Sequence, residues 1–548
     1  MTQPQSTHEV FNQSSELADV DLFAGHRPLQ EALQAMAPEV DLAPLHALGR
    51  ELGSAEVQAQ ARLANRHPPR LRAYDRGGRR IDEVEFHPAY HALMACAAAH
   101  GLQAAPWGRP AGAHVARAAG FLLFNGTEAG VMCPVSMSYA VTPALRASAS
   151  LYADWGPGLT APVYDPRPLP GPQKNGLTMG MGMTEKQGGS DLRANTSRAA
   201  FDQDTPWGRC YRLTGHKWFF SAPMSDAHLM LAQTAAGPTC FFVPRLLPDG
   251  TRNALRIQRL KDKLGNHANA SSEIEFDGAA GWLVGEEGRG IAQILEMGTL
   301  TRLDCALGSA GLMRQALALA LHHCAQRSAF GKKLIEQPLM RNVLADLALE
   351  VEGATALVMR LARAVDRSEH AGDAREAVLR RLLTPIGKFW VCKRGSHFAQ
   401  EAMECLGGNG YVEDDGHGPM ARLYREMPLN SIWEGAGNVM ALDLLRALRS
   451  AGVAEVLRDE LECLRGAHRG AERLAAGLTE RLAAPQESQA RRLARDVALL
   501  LQAALLRRQA PEAVFSAFCA TRIDAGADVF GQLPEDCDVE LLLARAMP

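Results

Sequence analysis

Between Ile291 and Leu406 the chain carries three long stretches, Ile291–Arg327, Pro338–Arg367 and Ala374–Leu406, in which apolar residues recur every three or four positions. That spacing puts the apolar side chains on one face of an α-helix, and helices this long must bury that face against partners. The region predicts a helical bundle over residues 286–448, with Gly407-Gly408-Asn409-Gly410 ending its third long helix. Ahead of it the texture is different. Tyr211-Arg-Leu, Trp218-Phe-Phe-Ser, His228-Leu-Met-Leu-Ala-Gln-Thr and Thr239-Cys-Phe-Phe-Val are short, rich in aromatic and aliphatic residues, and divided by turns. Ser272-Glu-Ile-Glu-Phe alternates polar and apolar with period two. Residues 181–285 therefore read as a β domain.

The flanks complete an α+β chain of four parts. Residues 1–180 read as a polar arm followed by helical patterns, and the Pro- and Gly-rich run from Gly156 to Asn175 is the strongest linker signal. Residues 449–548 read as a further helical unit without lysine. Ten arginines face seven acids between 458 and 508, and the sign reverses in a tail of acids after residue 520. Arg465, Arg469 and Arg473 recur every four residues, as on one helix face; Arg491, Arg492 and Arg495 make a second group, with Arg507 and Arg508 beyond it. Such a stripe suits phosphate contact, and it equally suits a solvated helix with intervening acids. The net charge of −3 excludes a uniformly basic nucleic-acid binder, so any DNA site must be local.

Eleven cysteines stand singly with no CxxC pair, which fits thiols in a reducing cytoplasm better than a disulfide framework or a zinc site. The start of the chain has no basic and apolar secretory pattern, and no stretch is apolar enough to span a membrane. The adjacent His322 and His323 point about 100° apart on a helix and make no metal site. Met179, Met181 and Met183 alternate like one face of a strand.

Two segments carry chemistry. In Gly180-Met-Gly-Met-Thr-Glu-Lys-Gln-Gly-Gly-Ser-Asp191, Gly188 and Gly189 free the backbone to turn N–H groups toward an anion, beside the Ser190 hydroxyl. That suits a pyrophosphate, with Thr184 able to donate to a ring heteroatom; a purely structural loop is the alternative. Glu434, in Asn430-Ser-Ile-Trp-Glu-Gly-Ala-Gly437, is either a partly buried general base or a capping acid ahead of the next helix.

In order along the chain come the 183–191 loop, the strand at 216–221, Arg327-Ser-Ala-Phe-Gly331, Leu406-Gly-Gly-Asn-Gly-Tyr411 and Ile432-Trp-Glu-Gly435. Together they resemble the acyl-CoA dehydrogenase flavoproteins over roughly residues 70–447. Met183–Asp191, Gly215-His-Lys-Trp-Phe-Phe-Ser221, Leu260-Lys-Asp-Lys-Leu-Gly-Asn266 and Tyr424-Arg-Glu-Met-Pro resemble the AidB branch across the whole chain. That branch comprises bacterial alkylation-response proteins with an extra C-terminal helical domain. The resemblance implies a central β-barrel-like domain and an FAD cofactor.

It also implies roles for individual residues. Thr184, next to Met183, would bond the pyrimidine side of the flavin, and Ser190 after Gly189 would lie by the pyrophosphate. Phe219 would cover the flavin, with Phe220 following and Ser221 near N5. Arg327 and Phe330 would reach FAD in a neighbouring subunit, and Gly407 and Gly408 would approach the same cofactor, implying a homo-oligomer, usually a tetramer. Trp433, Gly435 and Asn438, which flank Glu434, would also contact the cofactor, as would Met183 and Phe220, and Glu434 would take the α-proton of an acyl-CoA thioester. Departures from the family are Ala436 for threonine, Asn438 for glutamine and Glu404 for the glutamine before the Gly-Gly pair. They point to a weak or specialised dehydrogenase site.

The expected function is therefore an FAD protein of the alkylation response that binds double-stranded DNA through its C-terminal domain. One alternative is a working acyl-CoA dehydrogenase whose extra domain serves assembly or a membrane surface. Another is a DNA-binding protein with a structural flavin.

Overall fold

The computed structural model describes residues 7–548, apart from the side chains of Thr479 and Ala483. The three long helices run Gly290–Gln326, Pro338–His370 and Ala374–Glu404, within a few residues of the periodic stretches. They pack side by side, and nearly every apolar position of the first two is buried. Asp373 caps the third, accepting from the backbone N–H groups of Arg375 and Glu376. Shorter helices Pro419–Asn430 and Gly437–Ala447 close the bundle, and the turn between them holds Glu434.

Seven strands form the β domain: β3 (Met179–Gly182), β4 (Arg198–Thr205), β5 (Gly208–Ser221), β6 (Ala227–Thr234), β7 (Gly237–Pro244), β8 (Leu255–Leu260) and β9 (Ser271–Leu283), after a hairpin of β1 (Arg70–Tyr74) and β2 (Arg80–Glu85). The pairings β6–β4–β5–β9–β7 return from β7 to β6, closing a small barrel, with β3 paired to β6 and β8 to β9 outside that ring. Its interior is a separate core containing Tyr211, Leu213, Phe220, Met230, Phe241, Ile274 and Phe276. Met179 and Met181 are buried packing residues.

Three sequence expectations need correction. Residues 70–85 are not helical. They form the β1–β2 hairpin, which Leu71 and Val84 pin to the barrel core, while Arg80 donates to the Ile257 carbonyl (2.7 Å) and Asp82 accepts from Ile257 N–H (2.9 Å). The run from Gly156 to Asn175 is no loose linker. Helix Ala149–Thr160 extends into it, and Gly171 lies so close to the buried Trp155 ring that a Cβ there would overlap it. Finally, Arg465, Arg469 and Arg473 do not share a helix. Gly466 takes a left-handed φ of 69°, His468 caps a new helix Arg469–Ala483, and Arg465 stays in the preceding turn.

The C-terminal unit is bolted to the rest. Arg522, fully buried, reaches Glu350 (2.9 Å) and Asp346 (2.5 Å), and Arg394 shares Glu350. Arg545 binds Glu352 (2.7 Å) and Glu31, joining helix Val539–Ala546 to both the bundle and the N-terminal helices. Arg508 and Arg360 converge on Glu460. Among the described residues, no helix is long and apolar enough to cross a membrane.

Candidate active site

Glu434 occupies the tight turn between helices Pro419–Asn430 and Gly437–Ala447 with a left-handed φ of 59°, followed by Gly435 at 103°. A non-glycine residue in that region is strained and persists only where its surroundings hold it. Two cations provide the hold: Arg302 Nε donates to the Glu434 carbonyl (2.9 Å), and Lys388 Nζ to the Gly435 carbonyl (2.5 Å). Arg302 is itself fixed by Asp443 (3.2 Å), which Arg381 also binds (2.8 Å). Trp433 closes the turn by donating to Asn430 Oδ1 (2.9 Å).

The carboxylate points to the long helix Gly290–Gln326, where Thr301 Oγ1 lies 2.8 Å from Oε2. The next helix is capped by Ala436 without a side-chain bond, so the capping alternative for Glu434 fails. Gly298 lies beneath, where a Cβ would stand 3.9 Å from Oε2, in ordinary contact. Burial raises the pKa of Glu434 above the usual carboxylate value, against the opposing pull of the Thr301 hydroxyl, Arg302 and Lys388. The Thr301 hydroxyl carries one proton and has two acceptors in reach, Glu434 and the Gly298 carbonyl (3.0 Å). It can serve only one at a time, so its bond favours ionised Glu434 only when directed there.

The candidate cofactor loop is tied to the strand it precedes. Trp218 N–H donates to the Thr184 carbonyl (2.8 Å). Below it lies a fully buried ion pair, Lys217 Nζ to Glu185 (2.8 Å), with Glu185 also accepting from Thr196 N–H (2.7 Å), Thr196 Oγ1 (3.0 Å) and Ser197 N–H (3.2 Å). Burial pushes Glu185 up, but Lys217 and these donors overcome it and hold the carboxyl at about 2. Lys217 is itself lowered by its burial. With Gln187 Nε2 also donating (2.8 Å), five donors on one carboxylate favour the ionised pair.

Above this anchor Gly188, Gly189 and Ser190 are exposed, and a Cβ on Gly189 would strike Thr184 Oγ1 at 2.4 Å. Met183 is half-buried, its carbonyl accepting from Asn195 Nδ2 (2.9 Å). Phe219 is 52% exposed, whereas the Phe220 side chain is fully buried against His228 and Phe276. A register shift in β5 between Lys217 and Phe220 separates the two. Phe220 can thus serve a ligand only through its backbone. Burial pushes the pKa of Cys133 up to about 12, with the nearby Ser221 hydroxyl lowering it and the Glu434 charge raising it.

The remaining candidates lie elsewhere on this subunit. Phe330 has a left-handed φ of 52° and is 99% exposed, and Arg327 donates to the Asn12 carbonyl. Gly407 and Gly408 are open to solvent, and Tyr411 beside them is 81% exposed. The N-terminal arm spans both loops, with Asn12 on Ser328 (2.7 and 2.8 Å) and Gln13 near Asn409 (3.4 Å). Asn438 accepts from Arg491 (3.4 Å), an arginine of the C-terminal unit.

Sequence reasoning missed Thr301, Arg302, Lys388 and Cys133. Each lies on a helix remote from Glu434 in sequence and has no motif of its own. Of the other arginines, Arg507 pairs with Glu512 and Arg508 with Glu460, while Arg465, Arg469, Arg473, Arg492 and Arg495 are exposed. Arg465, Arg473, Arg492 and Arg495 each lie near an acid, respectively Glu462, Asp524 and, for the last two, Asp496.

Comparison with known proteins identifies the scaffold. Residues 12–166 match the adaptive response protein AidB N-terminal domain, 180–279 the acyl-CoA dehydrogenase middle domain, and 288–449 the acyl-CoA dehydrogenase C-terminal domain. The chain is 49% identical to the acyl-CoA dehydrogenase-like protein AidB of Escherichia coli, over 98% of each chain. This chain belongs to the acyl-CoA dehydrogenase family, in its AidB branch. The structure of Bd2924 in its apo form is similar, with TM-score 0.83 and 30% identity, covering 91% of this chain and 99% of that one. Caenorhabditis elegans ACDH-11, solved with C11-CoA, has TM-score 0.82 and 26% identity, covering 99% of this chain and 94% of that one.

Proposed function

We propose that the protein is an FAD-dependent, acyl-CoA dehydrogenase-type oxidoreductase with Glu434 as its base. The observation carrying this reading is the left-handed Glu434 turn, held by Arg302 and Lys388, with its carboxylate turned toward Thr301. The residues present fit FAD. Thr184 and Ser190 hydroxyls make no hydrogen bond within the described protein, the Gly188-Gly189 backbone is free to approach a pyrophosphate, and Phe219 offers an aromatic face. Bound FAD would supply the hydride acceptor that no side chain can provide.

Glu434 would remove a proton from the carbon next to an acyl thioester, and its raised pKa brings its basicity toward that task. Met183, Gly189 and Ser221 would line the cofactor, with Phe220 contributing backbone only, and Trp433, Gly435 and Asn438 would shape the turn around the base. Arg327, Phe330, Gly407 and Gly408 would complete the cofactor site of a neighbouring copy. The exposure of Phe330 and Tyr411 supports a homo-oligomer, with a tetramer as the expected form. Free, mostly buried thiols support a cytoplasmic setting.

We further propose, from the relation to AidB, a role in the response to DNA alkylation with contact to double-stranded DNA through the C-terminal unit. The exposed Arg465, Arg469, Arg473, Arg492 and Arg495 are the residues for it; the surface ion pairs of Arg465 and Arg473 are weak enough to exchange for phosphate, and Arg481 holds Asp496 independently of Arg492 and Arg495. A genuine acyl-CoA dehydrogenase whose C-terminal unit serves assembly is the second reading. It is favoured by that unit's buried ion pairs with the bundle.

Anaerobic titration of the flavin-loaded protein with acyl-CoA thioesters of graded chain length tests the activity. Bleaching of flavin absorbance by at least one chain length is the expected result, and no bleaching by any of them overturns it. DNA affinity that falls steeply with salt supports the second role, and salt-independent retention contradicts it.

A further inference from the structure

A cavity of about 120 Å³ lies away from the Glu434 carboxylate, between the β1–β2 hairpin, helix Pro88–Ala99 and the β5–β6 turn. Phe86, Tyr90, Met94 and Met224 give it an apolar lining, and Ser225 and Arg245 are among its polar lining residues. Arg245 Nε, one of its terminal nitrogens and Ser225 Oγ are buried, yet each lacks a hydrogen-bond partner. Buried N–H groups of a charged side chain are costly to leave unpaired, and proteins rarely do so unless something else satisfies them.

The charges around the cavity show what that occupant is. Asp226 is matched by Lys174 (2.6 Å), Asp165 by Arg167 (2.6 Å), and Glu83 by Arg252. His91 bonds the Tyr164 hydroxyl (2.9 Å), and burial lowers its pKa, favouring the neutral ring. Arg245 also feels the Asp226 charge but makes no ion pair of its own, which leaves it the unmatched charge among the described residues lining the cavity. An unmatched cation lining a cavity that also presents aromatic and thioether side chains describes a receptor for an amphipathic anion. The volume is close to that of engineered cavities that hold one benzene-sized molecule, so the ligand is small.

We propose that this cavity binds a short-chain carboxylate, its anionic head on Arg245 and Ser225 and its tail against Phe86, Tyr90 and Met94. Occupancy would bear on the candidate active site through two short links. Ala222, which lines the cavity, has a strained φ of 49° and directly follows Ser221; Pro134, also in the wall, directly follows Cys133. A ligand packed against both would stiffen the turn that presents Ser221. Binding itself does not depend on the dehydrogenase reading.

Calorimetric titration and thermal melting of the full-length, flavin-loaded protein with butyrate, its neutral isostere butyramide, and inorganic phosphate test the site. Butyrate should bind and raise the melting temperature, with butyramide and phosphate each weaker by about tenfold or more, since one lacks the charge and the other the tail. Arg245→Met should lose butyrate affinity by a similar factor. Should that variant misfold, Met224→Trp, which fills the cavity and keeps Arg245, should abolish binding as well. Absence of butyrate binding, equal binding of butyramide or phosphate, or unchanged affinity in Met224→Trp would each overturn the proposal.

Discussion

The ion pair under the cofactor loop offers a quantitative test of how the candidate site is held. Lys217→Met removes the ammonium 2.8 Å from Glu185 and leaves a fully buried carboxylate with neutral donors only, from Gln187, Thr196 and Ser197. Breaking one side of such a pair costs about 3–5 kcal/mol, because the remaining charge is uncompensated. Part of that loss is relieved if Glu185 takes up a proton. In the native protein its folded pKa is held at about 2, below the reference value of 4.5. Its contribution is therefore complete above 4.5 and is lost as pH falls from 4.5 through 2. The variant should lose that contribution already at neutral pH.

The molecule is too large for one all-or-none transition, so hydrogen exchange over residues 183–197 and 210–221 is the better assay, with flavin content measured alongside. Faster exchange confined to those segments, and weaker flavin retention, are expected. Joint replacement of Lys217 and Glu185 by apolar residues should recover most of the protection. Native-like exchange in Lys217→Met, or a double variant no better protected than the single one, would refute the reasoning.

Other outcomes follow from the same geometry. Thr301→Val removes a hydrogen bond that favours ionised Glu434, so the acidic limb of the pH–rate profile should move to higher pH; a limb that stays put or moves down would place that proton on Gly298 instead. Arg522→Met should leave buried Asp346 without its cation and Glu350 with Arg394 alone, and destabilise the junction of the bundle and C-terminal unit by about 3–5 kcal/mol, seen as faster exchange in helix Pro338–His370. Replacing Arg469, Arg473, Arg492 and Arg495 by glutamine should weaken DNA binding and flatten its salt dependence. Arg508→Gln, which breaks a tie to Glu460, should mainly reduce stability, as read by urea titration.

Much of the scaffold could be read from periodicity. Long runs of helical spacing and short aromatic strands are local signals, and the three bundle helices and the barrel lie where those signals put them. The β1–β2 hairpin was hidden because Arg-Leu-Arg-Ala-Tyr and Arg-Ile-Asp-Glu-Val-Glu carry mostly charged residues, and only docking on the barrel through Leu71 and Val84 makes them strands. Asp346, Glu350 and Glu352 look like a solvated helix face until Arg522 and Arg545 arrive from almost two hundred residues away. In the site, motif position pointed to Glu434, but nothing local marks Thr301, Arg302 or Lys388 as its supports. Phe219 and Phe220 were indistinguishable in sequence because an irregular register in β5 decides which ring turns inward.

The central claim is that Glu434 removes the proton next to a thioester carbonyl. Its most direct measurement is uptake of deuterium from heavy water into that position of a bound acyl-CoA, followed by mass spectrometry in the native protein and in Glu434→Gln. The native protein should catalyse exchange, and the variant should be slower by about 10²–10⁴-fold while retaining its flavin. Equal exchange in both proteins would contradict the assignment.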